Sequence, residues 1–157
     1  MNKPDYIDEI ILDLTKPLIK RNPSKAYILP GDPTPLARPR FAKNHVYDSQ
    51  QSEKEAASLI IKHQHNHSPL LKGSLILDVT FFMPLPISWS DKKRNEQFRQ
   101  FHSYKPDTSN LLKFIEDICT GIIYNDDSQI SYIIAKKIYA FEPCTKFTVT
   151  ELEDERK

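Results

Sequence analysis

Apolar residues at every second position predict a β-strand over residues 75–82, where Leu75 and Leu77 share one face and Asp78 lies on the other. Pro84 ends this strand, which we expect to be central in a sheet. Other stretches rich in β-forming residues predict strands over 26–29, 130–141 and 146–152. The last two are expected to pair with each other as a hairpin.

Helical spacing of apolar residues predicts an α-helix over residues 50–64; the residues at this spacing are Ala56, Leu59, Ile60 and His63. A second helix is predicted over residues 90–101. It begins at the N-cap residue Ser90, and only Phe98 and Phe101 are expected to be buried.

The third predicted helix, over residues 108–119, has an apolar stripe formed by Leu111, Ile115, Ile118 and Ile122. Its second face presents Ser109, Lys113 and Asp117, which follow each other at steps of four residues. A polar turn at residues 124–128 follows this helix. We therefore expect one side of the helix to pack on the core and the other to carry polar groups.

The order of these elements predicts an α/β (α+β) fold, in which helices pack on one face of a small mixed or antiparallel sheet. Residues 1–25 form an N-terminal extension that could fold as one amphipathic helix, with Ile7, Ile11 and Leu14 on its apolar side. The domain is expected to cover residues 26–152. Residues 153–157 form a charged C-terminal tail.

With 157 residues, of which 39% are hydrophobic, the chain is long enough for one domain with its own core. It has no apolar run of membrane-spanning length and no signal-peptide pattern, so we expect a cytoplasmic protein without a membrane partner. Cys119 and Cys144 lack metal-ligand spacing and are interpreted as buried thiols.

The net charge is only +1, but the charges are unevenly placed. Residues 36–47 hold Arg38, Arg40 and Lys43 and no acid, and both arginines lie in a proline-rich loop that cannot be helical. Residues 91–105 are also basic. Such segments are either solvated surface or contacts for nucleic-acid phosphates.

Candidate catalytic carboxylates lie on both sides of the third predicted helix. Asp107 comes just before it, and Asp126 and Asp127 lie in the turn about 20 residues later. Hard oxygen ligands of this kind suit Mg²⁺, which leaves room for water and phosphate oxygens. The alternative is that Asp107 caps the helix and the other two are ordinary turn residues.

Residues 105–130, KPDTSNLLKFIEDICTGIIYNDDSQI, resemble the signature of RusA-type Holliday-junction resolvases, which is approximately KPDxDNLxK, an Asp within the helix, a Gly, and DDxQI. Upstream, GDPTPLARPRF and HVYD resemble the opening of the same family. The resemblance covers residues 26–152, so only the N-terminal extension and the tail lie outside it.

This resemblance implies a homodimeric, Mg²⁺-dependent endodeoxyribonuclease that nicks four-way DNA junctions symmetrically in recombination and repair. Mn²⁺ is an expected substitute, and no nucleotide cofactor is expected. Asp107 matches the first metal-binding aspartate of the family, Asp127 the last and Asp126 the acid beside it. Lys113 matches the lysine needed for catalysis.

Ser109 departs from the pattern because the family usually has a second aspartate at this position. Asp117, on the same helix face, could supply part of the missing charge in the metal shell. Two alternatives follow: a junction-binding protein that has lost cleavage, or a dimeric scaffold without either activity.

The expected DNA-binding residues are Arg38, Arg40, Lys43 and Lys105. Tyr104 and Trp89 could stack on unpaired bases at a junction, or they could simply pack in the protein.

Overall fold

The computed structural model describes residues 19–21 and 23–154, and its sheet is built around β5 (Leu75–Pro84). One edge of β5 pairs in parallel with β6 (Ile130–Ala140), and the other pairs antiparallel with β7 (Cys144–Asp154). The other edge of β7 pairs with two strands in succession along its length: β2 (Lys25–Pro30) pairs with residues 144–149 and β1 (Ile19–Arg21) with residues 152–154. The sheet is therefore mixed, and the predicted central position of β5 is confirmed.

The helices are α1 (Gln51–His65), α2 (Asp91–Gln97) and α3 (Thr108–Cys119). A short 3₁₀-helix (Asp127–Gln129) follows α3, and a small hairpin of β3 (Arg40–Ala42) and β4 (His45–Tyr47) precedes α1. In the described part of the chain, none of the helices is long and apolar enough to cross a bilayer.

The core forms where α1 and α3 cover one face of β5. Leu77, Val79 and Phe81 of β5 are buried there, together with Ile61 of α1 and Leu111 of α3. Burial of alternate residues of β5 and of the predicted stripe on α3 confirms both patterns. Helices on one face of a mixed sheet are the fold class that the sequence predicts.

The predicted hairpin between the last two strands is wrong, because β5 lies between β6 and β7. Strands in a sheet are about 4.8 Å apart, so the connection must cross roughly 10 Å. Residues 141–143 cover that distance where β5 ends at Pro84. Since the backbone of β5 is buried, both of its edges need hydrogen-bond partners, and the two flanking strands provide them.

The helix predicted over 50–64 is present as α1, but the residues whose spacing predicted it are not the ones that it buries. Ala57, Ile61 and His65 are buried, whereas Leu59 is 67% exposed. His65 belongs in the core because its Nδ1 and the Tyr27 hydroxyl are 2.7 Å apart, and its Nε2 lies 3.3 Å from the Pro69 carbonyl oxygen. A buried imidazole is tolerated in a core when both of its ring nitrogens have hydrogen-bond partners.

The helix predicted over 90–101 is shorter than expected and ends at Gln97. Its N-cap is confirmed, since the Ser90 side chain accepts a hydrogen bond from the Lys93 amide at 3.2 Å. Beyond α2, the Arg99 and His102 amides hydrogen-bond to the edge of β6 that faces away from β5, and the helix does not continue. Phe98 is half-buried. Phe101 is 75% exposed, so the predicted burial of Phe101 is wrong.

The ends of the sheet extend beyond the expected domain bounds. β1 lies within the predicted N-terminal extension, and β7 continues to Asp154. The helix considered around residues 7–14 lies outside the described residues. Of the two thiols, Cys119 is buried as predicted, and Cys144 is half-buried.

Stability should fall in mild acid because of His65. Burial, aided by the Lys25 charge, lowers the pKa of this imidazole. Its folded pKa is therefore below the unfolded value of about 6.5, so the contribution of neutral His65 to stability is complete above that pH and is lost as pH falls from there through the folded pKa. We expect His65→Gln to cost about 1–2 kcal/mol at pH 8 through altered hydrogen bonding. The variant should also flatten the decline in stability towards pH 5.

Urea unfolding at pH 8, 6.5 and 5 measures this effect. His63→Gln is the matched control, because His63 is exposed on the same helix. A parent protein and a His65→Gln variant with parallel pH profiles would show that His65 does not cause the decline.

Candidate active site

Asp107 occupies the N-cap position of α3, but its side chain makes no capping hydrogen bond. Instead, one carboxylate oxygen accepts a hydrogen bond from Lys105 Nζ at 2.7 Å, and the side chain is about half exposed. The Lys105 ammonium holds the pKa of Asp107 below its usual range, and Lys137 adds to this effect. The carboxylate is therefore ionised, oriented and accessible to a cation.

Lys137 on β6 holds the loop that leads to Asp107. Its Nζ donates hydrogen bonds to the carbonyl oxygens of Tyr104 at 2.6 Å and Pro106 at 2.8 Å. Burial lowers the pKa of Lys137, whereas the nearby Asp107 charge raises it. Lys137 was not predicted as a site residue. It shares a strand face with Ala135 and Tyr139, and a lysine between these two residues was a sequence signal for a role beyond packing.

Lys113, Glu116 and Asp127 form a second group of charges beside α3. Burial raises the pKa of Glu116, and the negative charge of Asp127 raises it further, while Lys113 lowers it. Asp127 and Lys113 both lie close enough to Glu116 for their charges to act on it. Glu116 was missed in the sequence, although it lies one helical turn after Lys113.

Asp126 has a structural role in the turn after α3. Its carboxylate accepts a hydrogen bond from the Ser128 amide at 2.8 Å, which caps the 3₁₀-helix. Hydrogen bonds from Ser128 lower the pKa of Asp126. The Gln129 side chain completes the turn: it accepts from the Asp126 amide at 3.1 Å and donates to the Leu71 carbonyl oxygen at 3.1 Å. This network fixes the backbone on which the exposed Asp127 lies.

Asp117 and Ser109 lie on α3 in different surroundings. The Asp117 carboxylate is 3.2 Å from Lys54 Nζ on α1, and the same ammonium lies 2.6 Å from Asp48. This ion pair holds the Asp117 carboxylate, and its place in the metal shell stays a prediction. Ser109 is exposed in the first turn of α3, two residues after Asp107.

The loop that carries Arg38 is fixed beside the start of α3 by Gln50. The buried Gln50 side chain donates to the Pro35 carbonyl oxygen at 2.8 Å and accepts from the Ala37 amide at 2.5 Å. Between these bonds, the Leu36 amide donates to the Asn110 carbonyl oxygen at 2.9 Å. Gln50 was not identified from the sequence, where it resembled an ordinary helix-start residue.

The β3–β4 hairpin continues this loop and places its basic residues in solvent. Lys43 and Asn44 form its turn with positive φ values of 35° and 105°, the backbone region that two-residue hairpin turns require. Arg38, Arg40 and Lys43 are exposed, as is Phe41, at 84%. Arginine and lysine side chains displayed in this way can contact DNA phosphates.

The metal that the resemblance implies would need carboxylates close together. Among residues 19–21 and 23–154, no three His, Cys, Asp or Glu residues have a metal-binding arrangement, so Asp107, Asp126 and Asp127 form no three-ligand cluster there. Mg²⁺ often takes only one or two carboxylates and completes its shell with water and substrate phosphate. Asp107 and Asp127 carry the hard carboxylate oxygens that Mg²⁺ prefers. Their role as ligands stays a prediction.

Comparison with known proteins adds independent evidence. The family model described as "Endodeoxyribonuclease RusA" matches residues 30–150. The uncharacterized protein YqaN of Bacillus subtilis (strain 168) is 29% identical over 132 residues, which cover 78% of this chain and 92% of the relative. The crossover junction endodeoxyribonuclease RusA of Lactococcus phage r1t is 33% identical over 79 residues, which cover 50% of this chain and 55% of the relative. The family match spans most of the sheet, α1 and α3, and the chain therefore belongs to the RusA endodeoxyribonuclease family.

Proposed function

We propose that the protein is a Mg²⁺-dependent endodeoxyribonuclease that resolves four-way DNA junctions by paired, symmetric nicks. The observation that carries this proposal is the Asp107 carboxylate, which lies at a helix N-cap but pairs with Lys105 instead of capping the helix and stays about half exposed. An ordinary capping aspartate would bond to its own helix. Membership of the RusA family supports the same function.

Each charged group has a role in phosphodiester hydrolysis. Bound Mg²⁺ would neutralise the non-bridging phosphate oxygens and lower the pKa of the attacking water. Asp107 and Asp127 are the residues that would hold it. Lys105 keeps Asp107 ionised and oriented. Lys113 would place its ammonium near the scissile phosphate and stabilise negative charge as the bond to the 3′ oxygen breaks.

The exposed basic side chains would bind the DNA backbone around this site. Arg38 lies in the loop that Gln50 and Asn110 anchor beside α3, and Arg40 and Lys43 extend along the hairpin. A guanidinium can form two parallel hydrogen bonds to one phosphate. We infer that Lys105 contacts DNA as well as Asp107, because its side chain is 84% exposed.

Two nicks placed symmetrically across a four-way junction require two active sites related by a two-fold axis. The proposed functional unit is therefore a homodimer. Sedimentation measurements at micromolar concentration, with and without junction DNA, test this. A monomeric mass under both conditions would contradict it.

A synthetic four-way junction, labelled on each strand in turn, tests the activity. The full chain should produce paired nicks with Mg²⁺ or Mn²⁺ and none with EDTA, and a linear duplex of the same sequence should be cut far less. Because Ser109 replaces the usual aspartate, a specific alternative is junction binding without cleavage. Salt-sensitive binding without nicks would favour that alternative, and neither activity would indicate a scaffold.

Replacing Arg38 or Arg40 with alanine should weaken DNA binding at every sequence tested. Each lost phosphate contact should reduce the slope of log affinity against log salt concentration by about one unit. The affinity is measured by fluorescence anisotropy between about 50 and 200 mM salt, where the loss of phosphate contacts has a large effect on affinity. Lys62→Ala, an exposed charge on α1, is the control. An unchanged slope would make the loop ordinary solvated surface.

A further inference from the structure

The aromatic ring of Tyr104 is exposed close to Asp107. The residue is 68% exposed and lies three positions before Asp107, which limits their separation along the chain to about 11 Å. A large aromatic ring in water exposes apolar surface without any gain in stability. Its position beside the proposed cleavage site therefore suggests contact with the substrate.

Hydrogen bonds fix the segment that carries Tyr104. The amides of Arg99 and His102 donate to the carbonyl oxygens of Tyr139 and Lys137, each at 3.0 Å, so the segment follows the free edge of β6. The carbonyl oxygen of Tyr104 itself accepts from Lys137 Nζ. Because the backbone is already ordered, binding at this ring would cost little conformational entropy.

Side-chain packing supports the Tyr104 ring on one side only. Tyr104 meets the His102 ring at 83°, with centroids 6.1 Å apart, and His102 packs in turn against Tyr139 at 4.8 Å. Trp89 differs, since it is half-buried, packs against Tyr139 at 5.4 Å and has Lys93 Nζ 4.2 Å from its ring centroid. Protein contacts account for Trp89, whereas most of Tyr104 stays available.

Positive charge beside Tyr104 favours a nucleotide as the occupant. Lys105 follows directly in the chain, and Lys137 lies beneath the loop. An aromatic ring next to cations can stack on a base while the cations contact the adjacent phosphate. Bases inside a duplex are already stacked on both faces, so this site would take a base that has no neighbour on one side.

We propose that Tyr104 stacks on the open face of a nucleobase next to the scissile phosphate and thereby favours branched over linear DNA. This inference rests on the proposed function and names what the same site recognises. The contact is independent of the metal, because it involves only the ring and a base.

Binding is measured in an Asp127→Asn background so that the DNA stays intact. Tyr104→Ala should lower affinity for a four-way junction about tenfold and leave affinity for a linear duplex unchanged. Tyr104→Phe keeps the ring and should bind like the parent, whereas Tyr104→Leu keeps apolar bulk and should resemble alanine. Tyr132→Ala is the matched control, since Tyr132 is an exposed tyrosine on β6.

A second readout places 2-aminopurine at each base flanking the cleavage position. Stacking on Tyr104 should change its fluorescence at one position in the parent and Tyr104→Phe proteins, and the change should be absent in Tyr104→Ala. Equal loss of junction and duplex binding in Tyr104→Ala, or a fluorescence change that survives in it, overturns the proposal. A parent protein that binds no junction overturns the proposed function as well, so the two failures are distinguishable.

Discussion

Replacing Asp127 with asparagine should reduce junction cleavage by about 10²- to 10³-fold while junction affinity stays equal or rises. The substitution removes a negative charge from the group that includes Glu116 and Lys113, and it leaves the exposed arginines of the basic loop intact. Less negative charge near the phosphate should, if anything, favour DNA binding. Asp107→Asn should have the same effect for the same reason.

Single-turnover nicking and anisotropy binding on the same junction separate these two effects. Asp91→Asn, an exposed carboxylate in the first turn of α2, is the matched control and should cut like the parent. If Asp127→Asn loses binding and cleavage equally, Asp127 serves folding rather than catalysis. If it loses neither, the metal site has to be assigned to other carboxylates.

Asp126 provides a sharper contrast within the same turn. Asparagine can still accept the capping hydrogen bond from the Ser128 amide, whereas alanine cannot. A purely structural Asp126 would therefore tolerate asparagine and lose about 1 kcal/mol of stability with alanine. An Asp126 that also binds metal would lose cleavage with either substitution.

Local periodicity predicted the elements of the fold better than it predicted their partners. The alternation in β5 and the stripe on α3 follow from which side of each element is buried, and both are visible in the sequence. The pairing of β6 with β5 depends on residues far apart in the chain. The expected hairpin of β6 and β7 does not form, because the deeply buried β5 lies between these two strands.

The buried face of α1 shows the same limit. Residues spaced like Leu59 and Ile60 indicate a helix, but they do not determine which side faces the sheet. That side is set by packing in the shared core with the sheet and α3, where the partner of His65 is the Tyr27 hydroxyl. A histidine at a buried helix position could not be distinguished from a surface histidine without this partner.

The candidate site was only partly predictable for a related reason. The motif identified Asp107, Lys113 and Asp127 because their types and spacing are encoded within about 20 residues. Gln50 and Lys137 act by bonding to the backbone of distant loops, and these partners exist only in the folded protein. Gln50 has no local sequence signal, and Lys137 has only its alternation with Ala135 and Tyr139 along β6.

Restoring the missing carboxylate with Ser109→Asp should lower the metal concentration needed for half-maximal cleavage roughly tenfold, the scale on which changes around a metal site alter affinity. A serine hydroxyl is neutral, whereas an aspartate at this exposed position would add a charged oxygen ligand two residues from Asp107. Asp117 does not replace it, because it lies two helical turns further along α3, about 12 Å away, and its carboxylate pairs with Lys54. The rate at saturating metal should also rise.

Cleavage rates across a Mg²⁺ and Mn²⁺ series, together with calorimetric metal titration without DNA, measure the effect of Ser109→Asp. The new charge would also stabilise the first turn of α3 by about 0.3–1 kcal/mol through the helix dipole, so thermal stability is compared with and without metal. Only a gain in thermal stability that grows with metal concentration indicates that the new carboxylate binds metal. Ser109→Ala should change neither the metal affinity nor the cleavage rate. If Ser109→Asp leaves metal affinity and rate unchanged, position 109 lies outside the metal shell, and the site must be drawn around Asp107 and Asp127 alone.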